Sequence, residues 1–129
     1  MAEVQNFIIN LEVYPFDLMV HFGDPQIMFS RLRDRITQES LLDIQLDFER
    51  GVGTGRTLLD EGTGVLLLWI KEPWSDNFSS ESFGTLNHEI FHVVELLFDR
   101  IGITLSGDSS EAFAYLIGFI TRKIHENLK

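Results

Sequence analysis

The segment His88-Glu89-Ile90-Phe91-His92 holds the most chemically capable spacing in the chain. On a helix, at about 100° per residue, its two imidazoles lie roughly 40° apart and one turn from each other. Two neutral imidazoles so placed can share one metal ion, and zinc suits such donors. Glu89 falls about 60° around from His92. From there it reaches a water on the metal without becoming a ligand, the position of a general base. The bland alternative is a pair of core or boundary histidines. It fits poorly, because two buried imidazoles beside an unpaired carboxylate on an apolar helix are costly without a cation.

A zinc site that activates water takes three protein ligands and keeps a fourth position open. Glu95 shares the histidine stripe, but it lies about 4.5 Å further along the axis and reads better as a hydrogen-bonding neighbour of His92. Glu111 is the stronger third ligand. It opens the last predicted helix after the short connection Gly102–Gly107, which is long enough to return along the histidine helix. A competing role for Glu111 is structural, since Asp108-Ser109-Ser110-Glu111 has capping-box spacing. Tyr115, one turn after Glu111, points its hydroxyl towards the same site, or else packs with that hydroxyl in water. His21 and His125 read as surface or boundary structure.

The elements that must hold these groups follow from the patterning. Residues 6–22 carry β-formers bent at Pro15, and Gly23-Asp24-Pro25 starts a helix with Asp24 as cap. Residues 39–49 fit either a strand or a helix, with helix favoured. Gly51-Val52-Gly53-Thr54-Gly55 lacks the lysine and following helix of a phosphate loop and reads as a flexible connection. Residues 56–59 and 65–70 form a hairpin about Asp60–Gly64, its second strand apolar on both faces. The histidine helix spans Leu86–Ile101 and stops at Gly102; the last helix runs from about Ser109 to Glu126.

Composition narrows the partners. The 129 residues are 44% hydrophobic, enough for one core and one domain, 1–129, with no repeat or linker. There is no cysteine, which excludes thiolate ligands and nucleophiles. A formal charge of −10 leaves little basic surface for nucleic acid. No apolar run approaches a membrane span, and Met1–Gln5 lacks the basic start of a secretory signal, so a cytoplasmic protein is expected. Oligomeric state is not legible.

The arrangement His88-Glu89-x-x-His92 followed by Glu111 resembles that of the gluzincins, the zinc metallopeptidase class that includes thermolysin. Residues 84–92 and Glu111-Ala112-Phe113-Ala114-Tyr115-Leu116-Ile117-Gly118 are similar to small zincin-like proteins encoded by bacteriophages. The resemblance covers about residues 84–126. It implies a single compact α+β zincin-like domain, in which a small sheet with a β-hairpin packs on the histidine helix and a C-terminal helix. It also implies that the strand edging the cleft pairs with an extended peptide, and residues 65–70 are the corresponding segment. Thermolysin-type enzymes carry an aspartate four residues after the third ligand, where this sequence has Tyr115, and a further domain with an oxyanion-stabilising histidine. Tyr115 is then the candidate electrophile. The expected function is peptide-bond hydrolysis with one Zn2+ per chain, held by His88, His92 and Glu111, with Glu89 as base and a peptide or protein as substrate. The alternative is a non-catalytic, zinc-stabilised interaction protein of a virion or phage accessory kind.

Overall fold

A computed structural model describes residues 4–129; Met1, Ala2 and Glu3, which carry part of the reading of the N-terminus, lie outside it. Eight elements follow in the order β1 (Gln5–Asn10), β2 (Asp17–Phe22), α1 (Pro25–Leu32), α2 (Gln38–Arg50), β3 (Gly55–Leu59), β4 (Leu66–Ile70), α3 (Ser80–Arg100) and α4 (Ser110–Asn127). The strands form one sheet in the order β1-β2-β4-β3. β1 and β2 pair antiparallel as a hairpin around Pro15, and β3 and β4 pair antiparallel about the Asp60–Gly64 turn. β2 and β4 run parallel, so the chain between them crosses over through α1 and α2. The domain is α+β, as the sequence leads one to expect, with a mixed four-stranded sheet.

Strand alternation sorts the core into two layers. Leu18, Val20, Phe22, Leu66, Leu68 and Ile70 pack under α3 and α4. The residues between them, Met19, Leu67 and Trp69, face α1 and α2. β4 therefore has both faces covered, which is why its five residues are all apolar and buried. Helices lie on both faces of the sheet, where the sequence led us to place the two C-terminal ones behind it.

Asp24 caps α1 as expected, its side chain accepting from the Gln26 amide at 2.9 Å, with Pro25 in the first turn. The ambiguous stretch 39–49 is helical, capped by Thr37. α3 starts six residues earlier than its apolar pattern predicts, and capping explains the difference. Ser79 Oγ accepts from the Ser82 amide at 3.1 Å. The Glu72 carboxylate accepts from the Ser79 amide at 2.9 Å and from the Ser79 and Ser82 hydroxyls at 2.6 and 2.8 Å. These bonds hold the Glu72 carboxyl below its usual range. They also turn a serine-rich stretch into two turns of helix. At the other end Gly102 adopts a left-handed φ of 84°, as its position after the helix requires. Among the described residues no helix is long and apolar enough to cross a membrane.

His21 departs from its expected boundary role. It is fully buried in β2. Its Nε2 donates to the Asp24 carbonyl at 2.7 Å, and its Nδ1 accepts from the Asn6 amide at 2.9 Å. Both ring nitrogens are satisfied by a neutral imidazole, and burial lowers its pKa from the ordinary 6.5.

Candidate metal centre

α3 packs against β3 and β4 and carries the histidine pair along the free edge of the sheet. Val93, Val94, Leu97 and Phe98 anchor it to the core, while His88 is exposed and His92 half-buried, so the burial cost that the sequence sets against a plain histidine pair does not arise. The two Nε2 atoms approach to 3.0 Å. Two nitrogens bound at 2.0–2.1 Å to one tetrahedral ion stand about 3.3 Å apart, so the pair is close to the spacing a single ion needs. On its far side, His92 Nδ1 donates to Glu95 Oε1 at 3.1 Å. That bond fixes the tautomer in which His92 Nε2 carries a lone pair, which here accepts from His88 Nε2 and which a shared ion would take in place of that proton. Glu95 is thus the orienting neighbour that its position along the axis indicates.

Glu89 turns inward, 8% exposed. The Thr57 hydroxyl of β3 shares its proton between Glu89 Oε1 at 2.7 Å and the Glu89 carbonyl at 3.1 Å. One carboxylate oxygen is therefore held against the sheet. The other, Oε2, lies beside Gly55. A Cβ added there would come 3.4 Å from Oε2 and only 2.5 Å from Thr85 Cγ2, so glycine lets the strand approach the helix at this point. A cleft of about 340 Å³ opens between Gly55, Thr57, His88, Glu89, His92 and Glu95. A second, of about 540 Å³, continues past Gly55, His88 and Glu89 to Thr54, Thr85 and Glu81.

β3, not residues 65–70, edges this cleft; β4 lies inside the sheet with neighbours on both sides. Thr54 O and Asp60 N bond across to Lys71 N and Val65 O, each at 2.9 Å. By antiparallel alternation, the backbone groups of Gly55 and Thr57 then point outward, away from β4.

The remaining predicted site residues are not brought here. Glu111 is exposed in the first turn of α4 and lines neither cleft. Its capping box does not form either: Ser109 is the cap residue, without a side-chain cap bond, and its hydroxyl binds the Thr104 carbonyl instead. Tyr115 is 76% exposed and lines a separate groove beside the Leu11–Tyr14 turn. Among the described residues no group of three or more histidine, aspartate or glutamate side chains is arranged to hold a metal ion. The spacing of the two imidazoles is close to what one shared ion needs, and among the described residues no third protein ligand stands with them. The reading of the sequence missed Gly55 and Thr57. Thr57 was discoverable from strand alternation, whereas Gly55 was hidden inside a glycine run that looked like a plain connection.

No protein-family model, curated protein or solved structure matches the chain.

Proposed function

We propose that the α3–β3 cleft is the active site of a metal-dependent peptidase, in which His88 and His92 hold zinc and Glu89 is the general base. The convergence of the two Nε2 atoms beside a buried carboxylate with one free oxygen is the observation that carries this reading. Zinc, when bound, supplies Lewis acidity that polarises a carbonyl and makes water in the cleft more acidic. Glu89 Oε2 takes a proton from attacking water and returns it to the leaving amine, while Thr57 fixes the carboxylate through Oε1. The outward backbone groups of Gly55 and Thr57 offer an extended peptide a strand to pair with beside the cleft. The spacing His88-Glu89-x-x-His92, which resembles that of zinc metallopeptidases, supports the same reading.

The proposal rests on His88 and His92. Glu111 enters as a third ligand only through a rearrangement of the first turn of α4. Tyr115, outside the cleft, is not assigned the electrophile's role. A second reading, a zinc-stabilised module without catalysis, is favoured by the Thr57–Glu89 bond, which gives the buried carboxylate work in holding β3 to α3. Glu89→Gln separates the two, because the amide oxygen still accepts from Thr57. Peptide cleavage that a zinc chelator blocks reversibly should fall roughly 10²–10⁴-fold in this variant, with fold and zinc content kept. Absence of chelator-sensitive cleavage across a broad peptide library contradicts the peptidase.

A further inference from the structure

The outer face of α4 has a pattern that nothing inside the chain explains. At about 100° per residue, Glu111, Tyr115, Gly118 and Arg122 fall in a stripe about 60° wide, opposite the buried Phe113, Leu116, Ile120 and Ile124. All four are exposed. Glu111 makes no hydrogen bond or ion pair among the described residues. Arg122 stands 5.6 Å from the centre of the Phe119 ring and has no carboxylate partner among them. Gly118 sits in mid-helix, where glycine is unfavourable, yet a Cβ there would meet nothing within 4 Å. Tyr115 leaves a large ring in water at 76% exposure.

These four residues are self-complementary. Glu111 and Arg122 lie equally far on either side of the point between Leu116 and Ile117, and so do Tyr115 and Gly118. We infer that α4 pairs antiparallel with α4 of a second copy of this chain about a two-fold axis at that point. Glu111 of each copy then faces Arg122 of the other, and each Tyr115 ring lies over the bare backbone of the opposite Gly118. Two ion pairs and two aromatic contacts form at once, because a two-fold interface repeats every contact. An apolar groove of about 700 Å³ runs beside the stripe, walled by Val13 and Tyr14 of the β1–β2 turn, and gives the second helix room to seat. Val13, 86% exposed, is covered in the process. Charge complementarity chooses this occupant: one helix face carries both the glutamate and the arginine, so a second copy turned about the two-fold meets each with its opposite. The pairing is independent of the peptidase reading.

Sedimentation equilibrium of the full chain, from micromolar to millimolar concentration with a zinc chelator present, tests it. A reversible dimer is expected. Glu111→Arg and Arg122→Glu alone should each weaken it roughly tenfold or more, and the double reversal Glu111→Arg/Arg122→Glu should restore it. Gly118→Leu should be monomeric with its helix content intact by circular dichroism, since the leucine occupies the place of the incoming ring. A chain that stays monomeric at millimolar concentration overturns the inference. So does a dimer indifferent to both single reversals, or an association that the chelator abolishes.

Discussion

Each titratable side chain in the core has a stated partner, and the partners differ in what they allow. Glu89 is buried with one hydroxyl serving two of its oxygens, while the other carboxylate oxygen lies beside Gly55 at the cleft. His21 has no such outlet. Its two bonds, to Asn6 and Asp24, suit only the neutral ring, and desolvation lowers its pKa in spite of the nearby Asp24. Above the ordinary value of 6.5, folded and unfolded chains both hold it neutral and it adds no pH dependence. As pH falls through 6.5, the unfolded chain takes up a proton and the folded one does not, so stability drops. Urea titrations at a series of pH values should show this decline, and a His21→Gln variant should flatten it. A decline of equal slope in the variant would place its source elsewhere.

At the scale of elements, the cleft depends on how closely β3 approaches α3. Gly55 sets that distance through Thr85 and Glu89. Gly55→Ala should push the strand away and destabilise the domain by about 1–3 kcal/mol, as overpacking does. Thr85→Ser removes the methyl that the new Cβ would strike, so the double variant should recover most of the loss. No recovery would mean that the close approach is not what Gly55 provides. The elements themselves were largely legible: the hairpin about Asp60–Gly64, the capped helix at Asp24, the C-terminal end of α3 and both ends of α4 follow from turn chemistry and periodicity. The N-terminal turns of α3 were not, because Ser79, Ser80 and Ser82 read as loop until Glu72, outside the helix, is seen to gather them. Pairing order was equally hidden. Nothing in Leu66–Ile70 shows that it lies inside the sheet and leaves β3 at the edge.

Across the whole molecule, a three-layer domain sets the helix that carries His88 and His92 against β3, one of the sheet's two edge strands. Within that frame the approach of His88 to His92 and the place of Glu89 beside them were legible, since both depend on one helix alone, whereas the burial of Glu89 depends on Thr57 of β3. Glu111 and Tyr115 required knowing how α4 is rotated against α3, which spacing within one helix does not specify. Phe113, at 4.8 Å from Phe98 and 6.4 Å from Phe91, takes the contact face and turns both residues outward. The proposed function stands or falls on two imidazoles holding zinc at the α3–β3 cleft. Its most direct test is zinc binding measured in competition with a chromophoric chelator, for the native chain, for His88→Ala/His92→Ala and for Glu111→Ala. One zinc per native chain is predicted, lost in the double variant; a marked loss of affinity in Glu111→Ala would show that α4 turns to supply the third ligand. Unit zinc retained by the double histidine variant, or none bound by the native chain, would contradict it.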